Sequence, residues 1–301
     1  MSGYSAASLY RNILAQKQFH DITDKFMRSK LPFIPIKGIV LLDLLYTNIG
    51  ERYLSDIDIL VKAGDLQKIH SLMHELGYIP SKDSPSEWIP AGDGLPIDMH
   101  ADIWYASSSE LQRLWQMSPI RMIAGLPCQV MPKEEMIIHA VAHAFIHHGN
   151  REGDWEKDVV SMLSRWQESL DLKKLIFSAG AYNLITPFRA AFHQMQPKLP
   201  PAVGDAIAVL LKGKEKIFES WFLHKSLSLK HNLKGHILRF VFQRNVLFKM
   251  GFLLKMVFPS PYFIRRRYNR FSTIGVIGAY IMRPFTCMVY GFRVVKKMAG
   301  F

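Results

Sequence analysis

Two carboxylates stand at alternate positions of an apolar segment, where Asp56 and Asp58 flank Ile57 and precede Ile59. In a β-strand, residues i and i+2 point to the same face, so the two aspartates are expected side by side. Two like charges this close are costly unless a cation lies between them. A divalent cation with hard oxygen ligands would compensate them, which predicts Mg²⁺, with Mn²⁺ as an alternative. Two such ions could clamp an in-line phosphoryl displacement. The alternative is an exposed strand edge with solvated acids.

A glycine turn lies upstream of these acids. Residues 34–36 are typical of a short strand, and residues 39–46 are typical of a helix with an apolar face. Gly38 at their junction allows a ligand to approach the backbone closely, and a helix N-terminus favours phosphate groups. Lys37 would add a point charge there, although a lysine on a surface turn is the simpler interpretation. Arg52, just before the acidic strand, could reach a phosphate oxygen or pair with a neighbouring acid.

A second strand with an acid follows downstream. Residues 65–76 have apolar positions at helical spacing, and residues 80–95 are rich in Pro, Ser, Gly and Asp, which predicts a loop. Residues 96–104 alternate polar and apolar side chains and are predicted to form a strand. One face of that strand would carry Asp98, His100 and Asp102. Asp98 is therefore predicted to bring a third carboxylate toward the first two.

These motifs together resemble a known family. The resemblance rests on Lys37-Gly38, Arg52 with Ser55-Asp56-Ile57-Asp58, Gly77-Tyr78, and Ile97-Asp98-Met99-His100. They are similar to the uncharacterised nucleotidyltransferase family of bacteria, within the DNA polymerase beta-type nucleotidyltransferase superfamily. The resemblance covers roughly residues 30–260 and is strongest between residues 37 and 104.

The resemblance implies a set of roles. Asp56 and Asp58 would hold the metal ions, and Asp98 would be a third ligand and the base for the attacking hydroxyl. The triphosphate of an NTP would be bound by Lys37, Gly38, Arg52 and Ser55. The chain departs from the wider pattern at the helix start, where Lys37-Gly38 replaces Gly-Gly or Gly-Ser.

The second half of the chain is predicted to be almost entirely helical. Residues 133–148 form one predicted helix with His139, His143 and His147 on one face, at i, i+4 and i+8. They could bind a metal, line a cleft or pack in a bundle; the chain has no HExxH motif here. Further along, the resemblance implies that Lys157 contacts a phosphate and that Asp158 binds the acceptor or the sugar, with surface and capping roles as the alternative. His100, His143 and Asp158 are thus the predicted acceptor or cleft residues.

The predicted fold class is α/β followed by α: a small mixed sheet with flanking helices, then a helical domain. The predicted segments are an N-terminal helix (1–30), a nucleotidyltransferase core (31–130), a helical domain (131–260) and a basic apolar helical segment (261–301). The two cysteines form no disulfide or metal pattern, which together with the absence of a signal segment predicts a cytoplasmic protein.

Charge is unevenly distributed along the chain. Residues 1–160 carry 15 Lys and Arg against 20 Asp and Glu, whereas residues 161–301 carry 23 against 5. Fifteen basic residues and no acidic residue follow Glu219, interleaved with large apolar side chains. This mixture favours an anionic membrane surface as a partner over nucleic acid. Residues 271–292 are strongly apolar, but Arg283-Pro284 predicts an interruption, and therefore a helix that packs on the body or lies on a bilayer.

The predicted activity is metal-dependent transfer of an NMP from an NTP to a hydroxyl or phosphate. The acceptor would be a small molecule, a peptide or a saccharide, in a natural-product, peptide-modification or polysaccharide pathway. Two alternatives stay open. One is a nucleotide-binding or regulatory module without turnover, and the other is a protein peripheral to the inner face of the membrane that acts on lipid-linked precursors.

Overall fold

A computed structural model describes residues 6–81, 84, 86–147, 154–214, 216–227, 231–243, 246–259, 261–268 and 272–298. The first half begins with helix α1 (Ala6–Arg28) and strand β1 (Phe33–Ile36), followed by α2 (Gly38–Leu45), β2 (Ile57–Val61) and α3 (Leu66–Glu75). Strands β3 (Tyr78–Pro80), β4 (Glu87–Pro90) and β5 (Ile97–His100) come next, and then α4 (Ser108–Met117) and the strand pair β6 (Ile120–Ile123) and β7 (Leu126–Gln129).

The second half is helical. It contains α5 (Lys133–Ala142), a π turn (His143–His147), α6 (Trp155–Arg165), α7 (Leu172–Ala181), α8 (Ile185–Met195) and α9 (Pro201–Leu211). It continues with α10 (Ile217–Leu227), α11 (His231–Phe242), α12 (Val246–Val257), α13 (Pro261–Tyr268) and α14 (Thr273–Met298). The predicted fold class, a small mixed sheet with flanking helices and then a helical part, is confirmed.

The first five strands form one mixed sheet in the order β1-β2-β5-β4-β3. Strand β2 pairs antiparallel with β1 and parallel with β5, and β4 pairs antiparallel with both β5 and β3. All five residues of β2 are buried, as expected for a central strand with both faces covered. The strand that carries the acids is therefore not an exposed edge.

The two faces of β2 belong to different apolar cores. Ile57, Ile59 and Val61 pack in a core with α1 and α3, whereas Leu60 packs in a larger core that runs into the helical half. Because side chains alternate along a strand, Asp58 lies on the same face as Leu60. The central carboxylate thus faces the helical half of the molecule. That larger core contains residues from both sides of the predicted boundary at residue 130.

Several predicted boundaries were wrong. Strand β5 ends at His100 and not at residue 104, because the chain bends at Ala101 and leaves Asp102 exposed. The predicted loop at residues 80–95 contains β4, whose Trp88 is buried against the sheet despite the surrounding Pro, Ser and Gly. The helix predicted for residues 133–148 ends as an α-helix at Ala142 and continues as a π turn. Residue 148 lies outside the described residues.

The predicted interruption at Arg283-Pro284 was also wrong. Helix α14 runs through Pro284 for 26 residues. Among the described helices it is long and apolar enough, by length and composition alone, to cross a membrane over Thr273–Arg293. Proline disrupts one backbone hydrogen bond, which a long helix with other contacts can tolerate.

Candidate active site

Two of the three predicted acids lie on adjacent parallel strands. In the register of β2 and β5, Asp58 lies opposite Asp98. Asp56 directly precedes β2, two residues before Asp58, and interacts electrostatically with both other acids. The structure therefore brings the three predicted carboxylates to one end of the sheet, through a register that the sequence pattern alone did not reveal.

Asp58 is the most buried of the three, with 3% of its surface exposed. Its Oδ1 atom accepts from Lys37 Nζ at 2.5 Å and lies 2.7 Å from His100 Nε2. Burial by itself would raise the pKa of this carboxyl, but Lys37 and His100 outweigh it and hold the pKa of Asp58 well below its usual range. Asp58 is thus an anion at every physiological pH.

Asp56 has the opposite tendency. Burial and the neighbouring charge of Asp58 raise the pKa of Asp56, and a hydrogen bond from Ser55 Oγ to Asp56 Oδ1, at 2.7 Å, partly offsets this. Environments that push the pKa values of paired carboxyls apart give the two groups different chemical roles. Here one carboxylate is fixed as an anion, and the other is more basic.

The turn before α2 places Lys37 under backbone strain. Lys37 has φ 56° and ψ −134°, a conformation that residues with a Cβ atom rarely adopt. The ion pair with Asp58 accompanies this strain, as is common for strained residues at functional sites. Gly38 starts the helix, and a Cβ there would collide with Arg52 Nη1 and Leu54 Cδ2. Gly38 is therefore required for the close approach of the arginine.

Arg52 is held by an acid of the helical half. Its Nε lies 3.0 Å from both carboxylate oxygens of Asp158, and its Nη2 lies 2.9 Å from Oδ2. The Tyr46 hydroxyl donates to Asp158 Oδ1 at 2.6 Å. Burial and then the Asp158 charge raise the pKa of Tyr46 above its usual range. Asp158 is thus largely saturated by Arg52 and Tyr46.

Lys157 joins the same seam between the two halves. Its Nζ donates to the Glu51 carbonyl at 2.7 Å and lies 5.1 Å from the centre of the Tyr46 ring. The predicted phosphate and acceptor roles of Arg52, Lys157 and Asp158 stay predictions, since each of these residues has a structural partner here.

A cleft of about 350 Å³ opens between the sheet and the helical half. Its sheet side includes Lys37, Gly38, Arg52, Ser55, Asp56 and Asp58, and its helical side includes Met136, His139, His143, Asp154, Trp155 and Asp158. Of the predicted site residues, Asp98, His100 and Lys157 do not line it. His100 contacts Asp58, which lines the cleft, whereas Lys157 contacts Glu51 and Tyr46, which are not among the lining residues.

The predicted row of three histidines is altered by the π turn. His139 and His143 both line the cleft, and their rings stack with centroids 6.2 Å apart. His139 Nδ1 lies 3.3 Å from the Tyr105 hydroxyl. A π turn adds a residue to the helical repeat, so the i, i+4, i+8 spacing no longer defines one face. The side chain of His147 lies outside the described residues.

The donor set suits a divalent cation. Ligand atoms of Asp58, Asp98 and His100 all lie within 4.8 Å of one another, so these three described residues form a candidate metal site. Asp98 Oδ1 is buried without a hydrogen-bond partner in the described part of the chain, as a ligand atom would be. Carboxylates are typical donors for Mg²⁺ and Mn²⁺, whereas an imidazole is more typical of transition metals such as Zn²⁺. The cluster differs from the predicted ligand set in containing His100 in place of Asp56.

Sequence reasoning missed several residues of the site. Tyr46 was assigned only to the apolar face of a helix, yet its hydroxyl binds Asp158. Met131, Met136 and Trp155 complete the cleft, and their apolar character gave no signal that distinguishes a cleft from a core. The contact between His100 and Asp58 could have been inferred, because His100 lies two residues after Asp98 on the same predicted face.

Comparison with known proteins adds a family match. Residues 1–197 match the family model described as an uncharacterised nucleotidyltransferase. No protein of curated function matches the chain. Among solved structures, the chain is similar to the antibiotic-resistance factor ANT(2'')-Ia, known from a solution structure, with 15% identity and a TM-score of 0.43. The match covers 60% of this chain and 95% of that one, and it is too weak to indicate a shared substrate.

Proposed function

Because the chain belongs to the uncharacterised nucleotidyltransferase family, we propose that it moves a nucleoside monophosphate from an NTP to an acceptor hydroxyl or phosphate. The observation that supports this best is the ionised Asp58, which lies opposite Asp98 and is paired with Lys37 beside a glycine-started helix. These groups combine ligands for a cation with a positive site for phosphates.

The proposed reaction is a displacement at the α-phosphorus of the NTP. A bond forms between the acceptor oxygen and this phosphorus, the bond to the β-phosphate oxygen breaks, and pyrophosphate leaves. The acceptor proton passes to a carboxylate, for which we propose Asp98, with Asp56 as the second candidate because its pKa is raised.

Mg²⁺, or Mn²⁺ in its place, would be held by Asp58 and Asp98 and, by the predicted assignment, by Asp56. When bound, the ion neutralises charge on the phosphate oxygens. Lys37 and Ser55 are the protein groups proposed to bind the triphosphate, since both line the cleft near Asp58. The first turn of α2 offers backbone N–H groups to the same phosphates.

The acceptor is proposed to bind against the helical side of the cleft. His139, His143, Asp154 and Trp155 offer ring nitrogens, a carboxylate and an aromatic face there. A cleft of about 350 Å³ is of the size that takes small molecules. A small molecule, a saccharide unit or the end of a peptide, in the cytoplasm, is therefore the proposed acceptor.

Binding and turnover can be tested separately. Isothermal titration of the purified protein with ATP, GTP, CTP and UTP, each with Mg²⁺, should give binding by at least one of them. The same NTP labelled at the α-phosphorus should then label an acceptor in a small-molecule or saccharide fraction, with release of pyrophosphate.

Asp58→Asn and Asp98→Asn should reduce turnover by at least 10³-fold while the folded secondary structure is kept. Asp205→Asn, at an exposed aspartate of α9, is the matched control and should retain full activity. Equal NTP binding and turnover in the wild type and in Asp58→Asn would overturn the proposal. Binding without any turnover would instead favour a nucleotide-binding or regulatory module.

A further inference from the structure

One face of helix α14 packs on the molecule. Val276 is buried, the Tyr280 hydroxyl donates to the Pro259 carbonyl at 2.5 Å, and Arg283 Nε donates to the Met256 carbonyl at 2.8 Å. Arg283 also lies 5.2 Å from the centre of the Phe263 ring. These contacts join α14 to α12, α13 and the turn between them, so the face that includes residues 276, 280 and 283 is occupied.

The opposite face of α14 is apolar and exposed. Its side chains are between 54% and 83% exposed and recur every three or four residues. They are Ile274, Ile277, Ile281, Phe285, Met288 and Phe292, called here the α14 stripe. A single stripe with this spacing lies along one side of a helix and normally faces an apolar partner. From residue 274 to residue 292 of this helix, the stripe is roughly 27 Å long at 1.5 Å per residue.

Basic side chains accompany the stripe. No acidic residue follows Glu219 in the sequence, while 15 Lys and Arg do. Arg293 and Lys296 are exposed at the end of α14, Lys255 is exposed on α12, and Arg265 is exposed on α13. The charged side chains described on α12, α13 and α14 are all basic. An apolar stripe beside such side chains is complementary to a surface that is apolar inside and anionic outside.

We propose that the α14 stripe and its basic neighbours dock the protein in the plane of an anionic phospholipid bilayer. The apolar side chains enter the boundary between headgroups and acyl chains, and the basic side chains bind the lipid phosphates. This inference is independent of the nucleotidyltransferase proposal, because it uses none of the cleft residues.

The structure argues against the same helix crossing the bilayer. Arg283 lies near the middle of the apolar stretch Thr273–Arg293, where a charge is most costly in a hydrocarbon layer. Its partners on α12 and α13 would have to enter the layer with it, together with Lys255 and Arg265. Docking in the plane leaves the packed face and Arg283 undisturbed.

Nucleic acid is a poorer match for this surface. The basic side chains alone would suit a phosphate backbone. The α14 stripe would gain nothing from it, because nucleic-acid sites pair basic residues with polar groups or with single stacking aromatics and not with six aliphatic and aromatic side chains in a row. The combination therefore favours lipid.

The test is flotation of the full-length protein with vesicles. Vesicles of equal parts phosphatidylglycerol and phosphatidylethanolamine should carry the wild type upward, whereas phosphatidylcholine vesicles should bind at least 10-fold less. Raising the salt from about 50 mM to about 500 mM should weaken binding to the anionic vesicles. Equal binding to both kinds of vesicle, or no binding to either, would overturn the proposal.

Two variants separate the apolar and electrostatic contributions. Phe285→Ser/Phe292→Ser should reduce the partition coefficient at least 10-fold, while Phe177→Ser, at an equally exposed phenylalanine of α7, should leave it unchanged. Arg293→Gln/Lys296→Gln should reduce it about 30-fold, and Lys17→Gln/Lys30→Gln, at exposed lysines of the first half, should change it less than threefold. If both control variants lost vesicle binding to the same extent as the α14 variants, the assignment to α14 would be contradicted.

Other occupants of the stripe give different results. A second copy of the chain would show as a dimer in light scattering that Phe285→Ser/Phe292→Ser converts to a monomer, with vesicle binding unaffected. Nucleic acid would bind more tightly than vesicles and would be insensitive to the phenylalanine variants. Resistance to extraction with alkaline carbonate would indicate a helix that crosses the bilayer. Each of these results would overturn the proposal, and release by salt and carbonate would support it.

Discussion

Arg52 and Asp158, 106 positions apart in the chain, form an ion pair in the seam between the sheet and α6. Only 14% of the arginine side chain and 4% of the aspartate side chain are exposed. The pair connects the loop before β2 to the helix that forms one side of the cleft. It therefore fixes the two sides of the cleft relative to each other.

Breaking this pair from one side should be strongly destabilising. Arg52→Gln leaves the buried Asp158 charge without its main partner, so the free energy of unfolding in urea should fall by about 3–5 kcal/mol. Arg28→Gln is the control, since its pair with Asp24 is largely exposed and should contribute less than about 0.5 kcal/mol. The double variant Arg52→Gln/Asp158→Asn should lose less stability than the sum of the losses in Arg52→Gln and Asp158→Asn. If the two single losses simply added in the double variant, coupling of the two residues would be contradicted.

The space around Gly38 should not accommodate a methyl group. In Gly38→Ala the new Cβ meets the Arg52 guanidinium and the Leu54 side chain, so stability should fall by about 1–3 kcal/mol through overpacking. Gly180→Ala is the control, because that exposed glycine of α7 has no atom within 4 Å of an added Cβ. It should stabilise the protein by up to about 1 kcal/mol through helix propensity. Thermal and urea unfolding of both variants measures these changes in stability. A Gly38→Ala variant as stable as the wild type would contradict the predicted collision.

The backbone strain at Lys37 should be separable from its charge. Lys37→Gly and Lys37→Met both remove the ion pair with Asp58, but only glycine adopts φ 56° and ψ −134° without strain. Lys37→Gly should therefore be more stable than Lys37→Met by about 1–3 kcal/mol. NTP affinity, measured by titration, should fall in both.

The order should reverse at a lysine with an ordinary backbone. Lys62 is exposed with φ −76°, so Lys62→Gly should be less stable than Lys62→Met by a few tenths of a kcal/mol because of chain entropy. If glycine were the less stable replacement at both positions, the strain at Lys37 would be disproved.

Tyr46 should make the protein sensitive to alkali. Because burial and Asp158 raise the pKa of Tyr46 in the folded state, its contribution is fully present below the ordinary tyrosine pKa of about 10 and is lost as the pH rises above it. Above about pH 10, the free energy of unfolding of the wild type should fall by about 1.4 kcal/mol more per pH unit than that of Tyr46→Phe. Urea unfolding between about pH 8 and pH 11 measures the two slopes. Tyr10→Phe, at an exposed tyrosine, should keep the wild-type slope; parallel curves for Tyr46→Phe and the wild type would contradict the assignment.

The proximity of the three acids could be predicted in part from the sequence, because side chains alternate along a strand. Alternation predicted that Asp56 and Asp58 share a face and that Asp98 approaches them, but their roles in the site stay predictions. A glycine between a short strand and an apolar helix likewise predicted the turn at Gly38. These features depend on residues close in the chain, where local geometry determines direction.

The partner of Asp158 could not be predicted in the same way. Whether Arg52 binds a phosphate or a distant acid depends on how α6 packs against the sheet. The π turn at His143 also arises from packing, and it changes which side chains share a face without any glycine or proline to signal it. Pro284 in α14 gave a wrong prediction of a helix break, since the helix continues through it and packs against α12 and α13.

The pair between Lys37 and Asp58 has a consequence for ligand binding. The buried carboxylate already has a cation of the protein itself as its neighbour, so the folded chain holds no uncompensated charge at this point. Any metal ion that binds Asp58 must compete with that ammonium group, and binding is an exchange of one cation for another. The measured affinity will therefore report the difference between two favourable interactions, and the lysine that is released from Asp58 becomes available to an anionic substrate in the same cleft.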